Sequence, residues 1–357
     1  MGHATRCVPV ISHLLSENHR VILAGDGSAL EFLKSYFPDM ECHRFPGIRI
    51  RYPSGSNMTM NLVLQLPGIV SGIIREHRYL TRLAQDYRAD VVISDNRFGL
   101  WSREVYSVYI THQVMIKAPE KLKWAERLFY RLHMWVIRHY DECWIPDLPG
   151  KTNLSGDLSH LYPVPGNGSF IGILSRFGKP SAGMAFSELT PGPDLLVLIS
   201  GPEPQRTIFE NLIINDPEIV HAGQVVMLRG LPGNAEPELT SDGFIIFNHL
   251  PDNELRQLIL TSKMIICRPG YSTLMDLAEL GRTAVLVPTP GQTEQEYLAW
   301  HLSEKGAFSC IDQDGFTLKK AIETGRNLTG LFSFRNDDSL LADRIARIGQ
   351  RLRQHDG

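Results

Sequence analysis

The chain has 357 residues, of which 43% are hydrophobic and 21% are charged; this composition excludes a disordered or fibrous protein. It carries 36 Lys and Arg residues against 39 Asp and Glu residues, and the formal net charge of -3 disfavours a dedicated nucleic-acid-binding protein. The five cysteines are widely spaced without a C-x-x-C pair, which indicates reduced thiols rather than disulfides or a zinc site.

Short apolar runs alternate with longer helical stretches along the first half of the chain. The strand candidates are 21–25, 90–94, 107–111 and 142–146, and the helix candidates between them are 69–87 and 121–140. Apolar strands that are separated by helices are typical of parallel βαβ units. A segment rich in Pro, Gly and Ser follows at 162–193, and it predicts a linker that holds one short strand at 169–173.

The second half repeats the pattern with greater regularity. Its strand candidates are 194–200, 224–229, 244–248, 263–267, 283–288 and 307–311, and its helix candidates are 206–214, 253–261, 272–280, 292–305, 317–324 and 339–353. Asp252 is the predicted N-cap of the second helix, and Gly281 ends the third helix. The pattern predicts a six-stranded, doubly wound α/β domain whose ligands bind at the carboxyl ends of the strands.

These elements divide the chain into two α/β domains, in line with about 150 residues per domain. We assign 1–165 to an N-terminal domain and 166–340 to a C-terminal domain. A final helix over 341–357 is expected to pack towards the N-terminal domain. A doubly wound domain begins with a strand, yet Met1 is followed at once by Gly2 and His3, so the first strand of the N-terminal domain is expected to be missing from this sequence.

The densest group of polar residues follows the fourth strand of the second half, in the run from Cys267 to Gly281. Gly270, Ser272 and Thr273 open a helix there, and helix amides with hydroxyls form a natural phosphate site. Asp276 lies one turn further on and suits a ribose diol, although a capped helix with a surface acid explains the same spacing.

Two further strand-to-helix turns carry polar groups. Gln292, Glu294, Gln295 and Glu296 suit the hydroxyls of a sugar, although acidic residues at a helix start are favoured by the helix dipole in any case. Ser200, Gly201 and Arg206 suit a diphosphate. The sequence has neither a Walker loop nor G-x-G-x-x-G in these turns, so a nicotinamide enzyme is disfavoured.

The run from Arg268 to Ala299 resembles the C-terminal donor domain of glycosyltransferase family 28, with its Arg-x-Gly turn, hydroxyl residues, acid and Gln-rich helix start. Weaker similarities in the same order lie at Gly2-His3, Thr111-His112-Gln113 and the Ser169–Gly172 strand. The resemblance implies a GT-B architecture, in which two Rossmann-like doubly wound domains face each other across a cleft.

The resemblance also assigns roles to individual residues. Asp276 would bind the nucleotide ribose, although the family carries Glu there, and Arg176 would join Ser200 and Gly201 at the diphosphate. His249 and Leu250 would face the base through backbone groups, and His3 would be the catalytic base or an acceptor contact. On the acceptor side we expect Asp95, Asn96, Arg97 and His112, which follow predicted strands.

Three other features allow competing interpretations. A hydrolase triad around His112 is disfavoured because no G-x-S-x-G elbow exists. Asp312-Gln313-Asp314 matches a D-x-D metal motif, but it precedes Gly315 as in a turn, and we expect no metal. The amphipathic stretch from Lys117 to Tyr140 is either a core-facing helix with a basic solvated side or a membrane-surface contact.

The sequence therefore predicts a glycosyltransferase that uses a nucleotide sugar, expected to be a UDP-sugar, with inverting and metal-independent chemistry and no cofactor. The acceptor is not specified beyond a lipid-linked class, and the enzyme is expected in the cytoplasm at the inner face of the membrane. The alternatives are a sugar-nucleotide epimerase or hydrolase of the same fold, and a non-catalytic protein that binds nucleotide sugars.

Overall fold

The computed structural model describes residues 2–45, 47, 58–178, 192–231, 236–239, 244–326, 328, 334 and 336–355. The chain divides into two compact units. The N-terminal unit comprises Arg6–Leu174 and Asn336–Gly357, and the C-terminal unit comprises Met1–Thr5 and Ser175–Arg335. Each unit contains parallel strands connected by helices, as the alternating apolar runs predict.

The elements up to residue 174 form two separate parallel sheets. In chain order they are α1 (Gly2–Ser16), β1 (Leu23–Gly25), α2 (Gly27–Tyr36), β2 (Cys42–Arg44), α3 (Met58–Tyr87), β3 (Val91–Asp95), β4 (Tyr106–Ile110), α4 (Glu126–Ile137), β5 (Glu142–Ile145), α5 (Asp157–His160) and β6 (Gly168–Phe170). Strands β1 and β2 pair with each other, and β3, β4, β5 and β6 pair in that order. The four strands predicted for this half are confirmed as β1, β3, β4 and β5.

Other predictions for this half need correction. The short strand assigned to a linker is β6, and it pairs with β5 as the fourth strand of the larger sheet. Gly2 and His3, which resemble the end of the glycine-rich first loop of the family, lie in the first turn of α1. The helix predicted over 121–140 consists of a 3-10 segment, Glu120–Ala125, followed by α4. Strand β2 was not predicted because three residues are too few to show a period of two.

The core of the larger N-terminal sheet lies between β4, β5 and α4. Tyr109, Cys143 and Ile145 project from the strands, and Ile137 from the helix; all four are fully buried. Burial of each large apolar side chain contributes about 1.5–3 kcal/mol to folding. This packing fixes the carboxyl ends of β3 and β4, where the predicted acceptor residues lie.

The elements from residue 175 onward form the C-terminal sheet and two helices that follow it. They are β7 (Leu195–Leu198), α6 (Gln205–Ile214), β8 (Val225–Leu228), β9 (Glu238–Leu239), β10 (Ile245–Phe247), α7 (Asp252–Thr261), β11 (Met264–Cys267), α8 (Tyr271–Glu279), β12 (Val285–Leu286), α9 (Thr293–Glu304), β13 (Ser309–Cys310), α10 (Leu318–Arg326) and α11 (Ser339–His355). The strand order is β13-β12-β11-β7-β8-β10-β9, and all neighbours are parallel except β9 and β10.

All six strands predicted for this half are confirmed, and the order is that of a doubly wound sheet. The chain crosses from β10 to β11 on the other side of β7, so the switch point of the sheet lies between β7 and β11. Ligands bind at such a point, outside the carboxyl ends of the strands. Gly281 adopts the predicted left-handed conformation, with a φ of 63°. Asp252 is the first residue of α7 rather than its N-cap, which is Pro251.

Candidate functional site

The switch point places the start of α8 beside the end of β7. Gly270 is the N-cap residue of α8, and no side chain caps the helix there. A Cβ atom at Gly270 would lie 3.8 Å from both the Ser200 and the Thr273 hydroxyl oxygens. Two hydroxyl groups from separate predicted segments therefore surround a helix N-terminus, whose amides carry partial positive charge.

A third predicted hydroxyl lies at the same helix start. The Ser272 hydroxyl donates a hydrogen bond of 2.6 Å to the carbonyl oxygen of Gly2, and both residues belong to the C-terminal unit. The bond places the first turn of α1, which includes the exposed His3, next to the first turn of α8. The predicted catalytic histidine is thus brought near the predicted diphosphate site.

Asp276 lies one turn into α8 and is only 7% exposed. The Ser175 hydroxyl donates to its Oδ1 atom at 2.7 Å, and Nε of Arg176 lies 3.4 Å from its Oδ2 atom. Burial raises the pKa of Asp276 to about 6, against the opposing effect of Arg176. Arg176 also lies 2.9 Å from Asp252, so this guanidinium contacts two carboxylates rather than facing an open diphosphate site.

The polar group around Arg176 retains unused hydrogen-bonding capacity. Nε of Arg176 and Oδ2 of Asp252 are buried and have no hydrogen-bond partner among the described residues. Next to them, burial and the charge of Arg176 lower the pKa of His249. Leu250 is buried, at 2% exposure. An orphaned donor and acceptor at one place are the pattern expected where a polar ligand completes a site.

The turn after β12 is closed by two of the residues predicted to bind the sugar. The backbone N–H of Thr289 donates to Gln295 at 2.9 Å, and that of Gly291 donates to Glu296 at 2.7 Å. Both side chains therefore have a structural role in this turn. Gln292 is the N-cap residue of α9 and makes no capping bond, and Glu294 is half-buried in the first turn.

The predicted phosphate residues after β7 separate in the structure. Arg206 is bonded to Glu203 and lies 3.9 Å from Glu210, so it belongs to the surface of α6. Gly201 is exposed and adopts a φ of 125°, a conformation that favours glycine and keeps the backbone accessible beside Ser200. Of this segment, the Ser200 hydroxyl lies at the helix start, whereas the Arg206 guanidinium is paired with the two glutamates.

Sequence reasoning missed the positioning role of Arg268, which is fully buried. Its guanidinium donates to the carbonyl oxygens of Val287 and Pro288 at 2.9 and 3.0 Å, to that of Gln205, and to the side chain of Gln313. It also lies 4.1 Å over the ring of Phe209. Burial lowers its pKa to about 10. The sequence feature that could have indicated this role is an arginine directly after an apolar strand.

The segment around Gln313 forms a short 3-10 turn, as Gly315 predicts. Within the described ranges, no cluster of three or more His, Cys, Asp or Glu side chains is arranged to hold a metal ion. The amide of Gln313 instead belongs to the contacts that hold Arg268.

In the N-terminal unit, the end of β3 forms a buried ionic group. Arg6 of α1 donates to both carboxylate oxygens of Asp95, at 2.7 Å from Nε, and its Nη1 lies 2.9 Å from Nδ1 of His112. The thiol of Cys7 lies 3.6 Å from the same carboxylate. Because arginine only donates, Nδ1 of His112 accepts this bond, which places the proton of the neutral ring on Nε2. Arg6 and Cys7 had no signal in the sequence.

The two residues after Asp95 diverge. Asn96 adopts a φ of 51°, which is uncommon for a residue other than glycine, and its Oδ1 lies 2.9 Å from the hydroxyl oxygen of Tyr109. Arg97 turns away to Glu76 at 2.8 Å and lies 4.4 Å over the ring of Phe45. Asp95 and His112 are therefore brought together, whereas Arg97 connects α3 to the segment after β2.

An exposed apolar row runs along the outer face of the segment from Glu120 to Ile137. Trp124, Leu128, Leu132 and Trp135 are 78%, 54%, 55% and 63% exposed, and their spacing of four, four and three residues places them on one face. The exposed cations beside the row are Lys123, Arg127, Arg131 and Arg138. The stretch thus packs on the core through Ala125, His133 and Ile137, as one interpretation predicts, and it also exposes the apolar row that the other interpretation requires. Among the described helices, none is long and apolar enough to cross a membrane.

Comparisons with known proteins agree with this architecture. The glycosyltransferase family 28 C-terminal domain matches residues 237–331, and glycosyl transferase family 1 matches residues 1–116. The residues that match the family 28 model lie in the C-terminal unit. They hold α8 with its N-cap Gly270 and the start of α9.

Curated relatives share short segments with the chain. Each is named UDP-N-acetylglucosamine--N-acetylmuramyl-(pentapeptide) pyrophosphoryl-undecaprenol N-acetylglucosamine transferase. The protein from Rhodopseudomonas palustris (strain BisB18) is 39% identical over 67 residues, covering 18% of each chain. The protein from Methylorubrum extorquens (strain PA1) is 33% identical over 99 residues, covering 25% of this chain and 27% of its own. The matched segments thus span about a fifth to a quarter of these relatives.

Solved structures share the fold over nearly the whole chain. Spinosyn rhamnosyltransferase SpnG covers 100% of this chain and 97% of its own, with a TM-score of 0.61 and 14% identity. MurG of Acinetobacter baumannii covers 98% and 91%, with a TM-score of 0.51 and 14% identity. These neighbours, with the parallel sheets of both units, show that the chain has the GT-B fold of two Rossmann-like domains.

Proposed function

We propose that the protein is a glycosyltransferase that takes a sugar from a nucleotide-sugar donor. The observation that carries the proposal is the start of α8, where the hydroxyls of Ser200 and Thr273 both lie next to Gly270 within the segment that matches the family 28 model. Helix amides with hydroxyl groups suit a diphosphate that gains negative charge as it leaves, which requires no metal ion. The names of the curated relatives support UDP as the nucleotide.

The remaining donor contacts follow from the geometry of the C-terminal unit. We assign Asp276 to the ribose, where binding would exchange its contact with Arg176 for hydrogen bonds to the diol. Nε of Arg176 and Oδ2 of Asp252, which make no hydrogen bond among the described residues, are available to the same ligand. The backbone at His249 and Leu250 is assigned to the base, and Gln292 and Glu294 to the sugar.

For the acceptor, we propose an inverting single displacement in which His3 accepts the proton of the attacking hydroxyl. In the N-terminal unit, His112 is assigned to the acceptor side, where Arg6 contacts its ring and pairs with Asp95. The acceptor is proposed to be lipid-linked, and the exposed row from Trp124 to Trp135 with its flanking cations is proposed to contact the inner face of the membrane.

Calorimetry with UDP tests the donor site. Ser200→Ala and Thr273→Ala each remove one hydroxyl next to Gly270, and hydrogen bonds to charged groups contribute about 1.5–3 kcal/mol, so we expect each variant to bind UDP at least about tenfold more weakly. Ser303→Ala removes an exposed hydroxyl from α9 and is the matched control, which we expect to bind UDP like the parent.

Equal UDP affinity in both site variants and in the control would contradict the donor site. Comparison of UDP with GDP, ADP and TDP tests the base. Turnover of UDP-sugar without any acceptor would instead support an epimerase or hydrolase of the same fold.

A further inference from the structure

A cavity of about 610 Å³ lies in the N-terminal unit at the amino ends of β3, β4 and β5. Its wall includes Asp90 before β3, Tyr106 at the start of β4, and Asp141 before β5. The carboxyl ends of these strands, with Asp95 and His112, are at the opposite edge of the same sheet. The cavity is therefore separate from the candidate site, and its volume is within the range of small-molecule pockets.

Cations from three different elements line this cavity. Arg103 comes from the loop before β4, Arg138 from the end of α4, and Arg351 from α11. The Arg351 guanidinium lies 4.6 Å over the ring of Tyr106. In the described part of the chain, none of the three has a carboxylate within salt-bridge distance, although Arg138 is also one of the cations beside the apolar row.

The same wall carries an equal number of carboxylates, from Asp90, Glu104 and Asp141. One oxygen of Asp141 accepts a backbone hydrogen bond from Ser107 at 2.8 Å, and Glu104 and Asp90 are exposed. Three cations and three anions give this wall no net charge, and both sets gain partners from a ligand that carries a positive and a negative group.

The cavity is connected to the exposed apolar row by aromatic contacts. His139 lines the cavity, and its ring lies 4.4 Å from that of Trp135, the last residue of the row. The Trp101 ring lies 4.6 Å from the His139 ring. A lipid whose chains lie along the row would therefore have its head group beside the cavity.

We propose that this cavity binds the head group of a zwitterionic phospholipid that carries a primary ammonium group, as in phosphoethanolamine. The arginines bind the phosphate, and the carboxylates accept hydrogen bonds from the ammonium. A choline head group lacks these N–H donors and binds more weakly. The proposal rests on the membrane contact proposed above and not on the donor site.

Titration of the full chain with soluble glycerophosphoethanolamine tests the cavity without a membrane. We expect saturable binding that becomes at least about tenfold weaker in the double variant Arg103→Gln/Arg351→Gln, because charge-assisted bonds to phosphate are lost. Arg347→Gln, which changes an exposed arginine of α11 that does not line the cavity, is the control. Glu104→Gln is a milder surface change, and it is expected to reduce the preference for glycerophosphoethanolamine over glycerophosphocholine.

Vesicles separate the cavity from the apolar row. The parent should bind phosphatidylethanolamine vesicles better than phosphatidylcholine vesicles at equal phosphatidylglycerol content. Leu128→Ser/Leu132→Ser should lose vesicle binding but keep the soluble head group. The proposal is overturned if the soluble head group does not bind, if inorganic phosphate binds equally well, or if Arg347→Gln weakens binding as much as the double variant does.

Discussion

His133 in the core of the N-terminal unit predicts how the stability of this unit depends on pH. The side chain is 4% exposed, its Nδ1–H donates to the carbonyl of Val114 at 3.2 Å, and Nε2 lies 3.1 Å from the hydroxyl oxygen of Tyr109. Burial lowers its pKa from 6.5 to about 4. The folded unit therefore holds a neutral ring at a pH where the unfolded chain is already protonated.

The size of the effect follows from the two pKa values. Because the folded pKa is the lower one, stability is fully present above pH 6.5 and is lost as the pH falls towards 4. The whole difference corresponds to about 3 kcal/mol, and about 2 kcal/mol of it is lost between pH 7 and pH 5. With a denaturant slope of about 2 kcal/mol/M, the urea midpoint should fall by about 1 M.

Tryptophan fluorescence can follow this unit separately. Of the five tryptophans, only Trp300 lies outside the N-terminal unit. In Trp300→Phe, the tryptophan fluorescence therefore reports on the N-terminal unit alone. In that background we compare urea unfolding at pH 7 and pH 5 with and without His133→Gln. The glutamine does not titrate, so its variant should lose about 2 kcal/mol less over this interval. The contributions of all other titrating groups to the pH dependence are the same in both proteins and cancel in the comparison.

An identical loss of stability in both proteins between pH 7 and pH 5 would refute the assignment. It would mean that the imidazole is protonated in the folded unit, and that burial does not control its pKa.

Three further predictions concern other parts of the chain. Arg268→Met should destabilise the C-terminal unit by about 3 kcal/mol in chemical unfolding, because buried carbonyl groups lose their donor; a change below 1 kcal/mol would contradict its positioning role. Gly99→Ala should lower the free energy of unfolding by about 1–3 kcal/mol, because the new Cβ would lie 2.5 Å from the carbonyl oxygen of Ile73. Gly166→Ala is the control: its Cβ enters open space, so the free energy of unfolding should not change. Burial raises the pKa of Asp276 to about 6, so the C-terminal unit should gain stability as the pH falls from 6 towards 4. Asp276→Asn should abolish this gain in chemical unfolding. A gain of equal size in the variant would exclude Asp276 as its source.

Local sequence patterns predicted most strands because continuous apolar runs identify buried parallel strands directly. The order of the C-terminal strands followed from the doubly wound rule. The patterns did not reveal β2 or β9, which have three and two residues. The strand predicted within a linker is β6, a strand of the larger N-terminal sheet. Its local pattern could not show that it pairs with β5, because β5 is a separate segment of the chain.

In the candidate site, too, local patterns indicate some residues but not the contacts between segments that are distant in the sequence. Ser200, Gly270 and Thr273 were found because each follows a strand that ends at one edge of the sheet. The partners of these groups were not predicted, since Arg6 and Asp95 are 89 residues apart and Ser175 and Asp276 are 101 apart. Local spacing also cannot show whether Arg206 faces a ligand or the neighbouring glutamates Glu203 and Glu210.

The division of the N-terminal strands into two sheets has a consequence for local unfolding. Strands β1 and β2 have three residues each, and such a pair is marginal without support. Its support comes from the adjoining segment, where Phe45 packs with Leu80 and Leu100. We therefore expect the amides of β1 and β2 to exchange with solvent through partial opening, while those of β4 and β5 exchange only when the whole unit unfolds. A protease would accordingly cut the native protein first near this small sheet.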